Sequence, residues 1–175
     1  MTSQALLQMR GVHTHIGAYH ILQGVDLLVP AGKLTALLGR NGVGKTTTLR
    51  TIMGLWRASA GSIDFKGQSI TQAQTPDIAR SGIAYVPENM GIFSDLTVRE
   101  NMLLAAHKAP SVEAMDAQRL RWIWELFPAV EKFWSHPAGK LSGGQKQMLA
   151  LARVMLFETP RLSLESLGTL ESRAE

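Results

Sequence analysis

Nine residues, Gly39, Arg40, Asn41, Gly42, Val43, Gly44, Lys45, Thr46 and Thr47, contain the order G-x-x-x-x-G-K-T. Glycines let a backbone curl closely around an anion, and the N–H groups at a following helix start converge on it. Lys45 would bring a mobile positive charge to the β- and γ-phosphates of a nucleotide, and the Thr46 hydroxyl would ligate Mg²⁺. The bland alternative is a glycine-rich strand-to-helix turn with an incidental lysine. The chemical reading therefore requires a buried strand before the loop and a helix after it.

A second segment, Leu141, Ser142, Gly143, Gly144 and Gln145, offers a hydroxyl at a helix start and two glycines whose backbone N–H groups no side chain shields. That is a second candidate anion site. Ser142 and Gln145 also match S-x-x-Q, so the segment reads equally as a plain capping box, and the two roles are compatible.

The elements that must position these residues follow from apolar spacing. Leu34–Leu38 is a short unbroken apolar run that predicts a strand buried on both faces, ending at Gly39. Leu49, Ile52, Met53 and Trp56 predict a helix from Lys45, with Gly54 near its end. Upstream, residues 5–9 and 21–29 read as strands, the second with Val25, Leu27 and Val29 at period two. Residues 61–67, with Ile63 and Phe65 on one face, and residues 82–87 predict two more strands. Thr97 and Glu100 form a capping box ahead of a helix. Ser111 would cap a helix reaching Phe127, ended by Pro128. The helix after Ser142 carries Met148, Leu149, Ala152, Met155 and Leu156 and would end at Pro160. Trp122, Trp124, Phe127, Phe133 and Trp134 read either as a small helical core or as a docking surface for a partner.

Composition narrows the classes. With 175 residues the chain suits one domain. Its 18 Lys and Arg against 14 Asp and Glu give +4 without a basic block, so no nucleic acid is expected as a partner. The absence of cysteine excludes a disulfide framework, a thiolate metal site and a Cys nucleophile. No apolar run reaches 18 residues, and the N-terminus lacks the pattern of a signal peptide. Any membrane would be met through a partner.

Taken together, the two glycine motifs resemble those of the nucleotide-binding subunits of ATP-binding cassette (ABC) transporters. The likeness runs from about Leu7 to about Leu162. GIAYVPE, LTVRENMLLAA and LFP are similar to the cassettes of branched-chain amino-acid importers. The resemblance implies an α/β P-loop fold with an N-terminal antiparallel β region, a parallel core sheet and a helical subdomain. It divides the chain into 1–90 for the β region and Walker A core, 91–141 for the helical subdomain, 142–160 for the signature helix and 161–175 for a divergent tail. It implies ATP and Mg²⁺ as cofactors, with residues 39–47 holding ATP and Thr46 the metal. Leu141, Ser142, Gly143, Gly144 and Gln145 would touch ATP held by a second cassette. Glu88 stands where the family's Q-loop glutamine usually stands, near Mg²⁺ and the membrane subunit; the alternative is an exposed turn residue. Implied partners are another cassette and transmembrane permease subunits, at the cytoplasmic face of the membrane.

Two departures from the family pattern stand out. Ile16 occupies the usual place of an adenine-stacking aromatic, with His15 and Tyr19 as neighbouring substitutes. After Leu162, the apolar strand ending in Asp-Glu is replaced by SLESLGTLESRAE, and no histidine follows the signature. The catalytic base is therefore unassigned, and Glu165 reads as a tail charge rather than as its replacement. An incomplete cassette is the expectation. The alternatives to an importer subunit are a module that binds ATP without turnover and an ABC protein outside transport.

Overall fold

The computed structural model describes residues 5–106 and 109–156. They fall into two compact units that divide after Ile83. The first is built on a hairpin. Strands β1 (Ala5–Ile16) and β2 (Tyr19–Pro30) pair antiparallel through a two-residue turn, where Gly17 takes φ 59°. Strand β3 (Ala58–Phe65) pairs with the other edge of β1, and β4 (Gln68–Ser69) closes the order β2-β1-β3-β4. The expected alternation holds. Val25, Leu27 and Val29 are half-buried while Asp26 and Leu28 face solvent. Ile63 and Phe65 are buried with Met9, Val12 and Leu22.

One close approach requires glycine. A Cβ on Gly61 would lie 2.3 Å from the Gly11 carbonyl, where β1 shifts register between Arg10 and His13.

Helix α1 (Lys45–Ile52) follows the first glycine motif as expected. Its buried face differs from the expected stripe. Thr48, Thr51 and Ile52 point inward and Leu49 is exposed. The reason is a buried 3.2 Å hydrogen bond between the Thr14 and Thr51 hydroxyls, which turns that face toward β1. Helix α2 (Thr75–Ser81) was not anticipated, although its signals are present: Pro76 in the first turn and Gly82 in left-handed conformation at the end.

Two expected strands are not formed. Leu34–Leu38 is unpaired and open, with Leu34 100% and Leu38 86% exposed, and residues 82–87 belong to no strand. A strand buried on both faces exists only when neighbouring strands pair with it and helices cover it. Among the described residues the four paired strands are all joined antiparallel, and none flanks this run. The expected N-terminal antiparallel β region is thus present, while the expected parallel core sheet is not formed among the described residues. The fold is α/β, one antiparallel sheet with helices.

The second unit is helical: α3 (Val98–Ala105), α4 (Ala117–Leu126), α5 (Pro128–Lys132) and α6 (Gly143–Leu156). α6 packs on α3, α4 and α5. Val98, Met102, Ile123, Ala138, Leu149 and Ala152 form its core. The clustered aromatics pack around that core. Trp124 meets Trp134 edge-on at 5.4 Å. The cap of α4 is Asp116 rather than Ser111, because the Asp116 carboxylate accepts from the N–H groups of both Gln118 and Arg119. Pro128 ends α4 and also opens α5, as a first-turn proline can. Pro160, Ser163 and Glu165, and the whole of 161–175, lie outside the described residues.

Candidate nucleotide site

The loop from Gly39 to Val43 is exposed and leads into α1 at Gly44. Gly44 takes φ 101°, a left-handed conformation that L side chains rarely adopt, and a Cβ there would meet a Leu22 methyl at 3.0 Å. No side chain caps α1, and its first turn contains no acidic residue. The dipole at this helix start is therefore opposed by no local carboxylate. The Lys45 ammonium curls back over the loop, donating to the carbonyls of Gly39 at 2.7 Å and Arg40 at 2.8 Å. The Val43 N–H closes a turn on the Arg40 carbonyl at 3.4 Å. Thr48 returns its hydroxyl to the Gly44 carbonyl at 3.0 Å, which locks the first turn from inside. The result is a small ring of backbone with a cation at its mouth. Its exposed lysine bonds can be exchanged for stronger ones to an anion.

The expected adenine neighbourhood lies on the β1–β2 hairpin. Ile16 is half-buried and Tyr19 is 76% exposed. The His15 ring stacks on His20 with centroids 4.1 Å apart and planes 9° apart, and its Nδ1 sits 3.1 Å from the Ser59 hydroxyl. His20 Nε2 lies 2.9 Å from His13 Nδ1.

In the second unit, Leu141 is anchored in the core and Ser142 and Gln145 close the reciprocal box. The Ser142 N–H donates to Gln145 Oε1 at 2.8 Å, and the Gln145 N–H to Ser142 Oγ at 3.3 Å. Gly143 and Gly144 face open space. Glu88 is exposed in a turn in which the Met90 N–H bonds the Pro87 carbonyl at 2.8 Å.

Sequence reasoning missed two residues of this unit. Asn101, wholly buried, accepts from the Phe93 N–H at 3.0 Å and donates to the carbonyls of Phe93 and Thr97 at 2.9 and 3.0 Å. Arg153, on α6, donates to the Gly91 carbonyl. Burial holds the Arg153 guanidinium below the usual arginine range. A polar residue among the apolar positions of each helix was the available signal.

The decisive comparison is with a family model described as ABC transporter, which matches residues 22–164. The chain belongs to the ABC transporter family. It is an ATP-binding domain of that family. It is 35% identical over 166 residues to the high-affinity branched-chain amino acid transport ATP-binding protein BraG of Pseudomonas aeruginosa, covering 93% of this chain and 70% of BraG. It is also 35% identical over 173 residues to the sulfate/thiosulfate import ATP-binding protein CysA of Bordetella pertussis, covering 95% of this chain and 48% of CysA. Among solved structures, an ATP binding subunit of an ABC transporter superposes with TM-score 0.75 at 31% identity, over 89% of this chain and 63% of that one. The chain thus spans between about half and 70% of the lengths of these relatives.

Proposed function

We propose that this chain binds ATP with Mg²⁺ at residues 39–47 and serves as the ATP-binding subunit of an ABC importer. The observation that carries the reading is the Lys45 ring at the uncapped start of α1. On binding, Lys45 exchanges two backbone carbonyls for phosphate oxygens, and the loop N–H groups and helix dipole add to the attraction. Thr46 would supply its hydroxyl to a Mg²⁺ ion bound with the nucleotide. Among the described residues no three His, Cys, Asp or Glu side chains converge as a metal cage. When bound, Mg²⁺ neutralises charge on the phosphates.

Leu141–Gln145 closes, in this reading, over ATP held by a second cassette, with the Ser142 hydroxyl and the open Gly143 and Gly144 N–H groups facing the γ-phosphate. Glu88 lies toward the permease partner. The chain then sits peripherally on the cytoplasmic face of the membrane, and no described helix is long and apolar enough to cross it. The solute is a branched-chain amino acid. The likeness to BraG supports this, as do GIAYVPE and LFP in the sequence. Equal identity to CysA makes sulfate the competing solute.

The test is ATP binding by the full chain, followed with a fluorescent analogue, with and without Mg²⁺. Saturable binding lost in Lys45→Ala supports the reading, and binding indifferent to that change overturns it. A second reading, binding without turnover, is favoured by the sequence after Leu162, where SLESLGTLESRAE stands in place of an apolar run ending in Asp-Glu. Steady-state phosphate release on the same samples separates the two.

A further inference from the structure

The turn from Pro87 to Phe93 carries Glu88, and three observations in the second unit concern how it is held. First, the turn is strained: Met90 takes φ 61°, a left-handed conformation that costs a non-glycine residue and persists only where its surroundings enforce it. Second, the enforcing group comes from the signature helix. Arg153 Nη1 donates to the Gly91 carbonyl, and the guanidinium lies over the Phe93 ring with 5.7 Å to its centroid. Third, Asn101 grips the far end of the segment through the N–H and carbonyl of Phe93 and the carbonyls of Leu96 and Thr97.

The Arg153 Nε is buried without a hydrogen-bond partner among the described residues. Arg153 as a whole is half-buried, and a buried donor left without a partner costs stability rather than adding to it. What it gains is a fixed geometry, since a planar guanidinium can bond a carbonyl with its edge while its face covers an aromatic ring. Arg153 stands ten residues after Gly143, about 15 Å along the helix that begins at the signature.

We infer that Arg153 is a positioning residue, clamping the Pro87–Phe93 turn onto α6 so that Glu88 is held in fixed relation to the helix that carries the signature. The inference rests on the nucleotide reading only for what Glu88 and the signature contact; the clamp itself is a property of this unit. A displacement of the turn by a partner would then reach the signature through a rigid helix rather than through loop motion.

Amide hydrogen exchange on the full chain tests this, in wild type, Arg153→Met and Arg153→Lys. Methionine keeps the bulk without the charge or the donors. In Arg153→Met, amides of residues 89–94 should exchange about tenfold faster, while those of α3, α4 and the middle of α6 stay within twofold. Lysine, which can still donate to Gly91, should recover part of the protection. Unchanged exchange at 89–94 in Arg153→Met overturns the clamp. So does an equal acceleration across the whole unit, which marks a merely structural residue. ATP affinity measured on the same samples keeps the two readings apart. Wild-type chain that binds no ATP sinks the nucleotide reading and leaves the exchange result standing.

Discussion

Two helices in this chain begin at glycine-rich segments, and they begin in opposite ways. α1 starts at Gly44, left-handed and without a side-chain cap. α6 starts after Ser142, whose hydroxyl and backbone N–H are both engaged by Gln145. A side chain that satisfies the first turn competes with a ligand for the same N–H groups. α1 has no such side chain and finds its stability elsewhere, in the Thr48–Gly44 bond and the buried Thr14–Thr51 pair. α6 caps itself, yet the Ser142 oxygen accepts from Gln145 while its own proton remains able to donate outward. One start is left without a side-chain cap. The other is built first as a helix.

The comparison implies that stability and ligand binding can be damaged separately. The largest effect should come from the helical core. Ile123 is wholly buried, and Ile123→Ala should cost about 2–5 kcal/mol in denaturant unfolding of the helical unit. ATP affinity per folded chain should not change. Lys45→Ala should do the reverse. It removes a charged donor of the order of 1.5–3 kcal/mol, weakening ATP binding about 10- to 100-fold, and should barely move the unfolding midpoint. If the lysine variant unfolds early and keeps its affinity, the division between the two starts is wrong.

Gly44→Ala sharpens the point. A left-handed alanine costs about 1–2 kcal/mol, and its Cβ presses on the Leu22 methyl at 3.0 Å. Both stability and affinity should fall, because here the glycine serves both. Ser142→Ala should cost about 0.5–2 kcal/mol of stability through the lost cap, with single-chain ATP binding untouched. Weakened binding in the isolated chain would mean that Ser142 acts on ATP without a second cassette.

These contrasts also mark what was legible in the sequence. Local devices were. The glycine-rich loop leading into α1, the two capping boxes, and the alternation in β2 and β3 depend on residues a few positions apart. What failed was relational. Leu34–Leu38 has the composition of a buried strand, but burial needs partners that composition does not name. Asp116 displaced Ser111 as a cap because two N–H groups fell within reach of its carboxylate. Asn101 and Arg153 stand out in sequence only as polar residues among apolar helix positions, and nothing local names their partners, the backbone of a turn 8 and 62 positions away.

The smallest effect separates the two reciprocal caps themselves. Gln145 is neutral, so the box of α6 is blind to pH. The box of α3 uses Glu100, whose carboxylate accepts from the Thr97 hydroxyl and from the Thr97 N–H at 2.7 Å. Those bonds, the hydroxyl first, with Arg99 nearby, hold its pKa below the ordinary 4.5. A depressed folded-state pKa means that protons bind the unfolded chain more readily. The cap's contribution is therefore whole above about pH 4.5 and is lost as pH falls through the lower folded value. Glu100→Gln keeps an acceptor for Thr97 but cannot titrate. Urea midpoints measured from pH 6 to pH 3 should show the wild type losing ground to Glu100→Gln only below about pH 4.5, by a small margin because the group remains partly open to solvent. The other carboxylates are common to both proteins and cancel in the difference. Gln145→Glu would transfer the same pH sensitivity to α6, and parallel curves for wild type and Glu100→Gln would show that the carboxylate at α3 does not act as a charged cap.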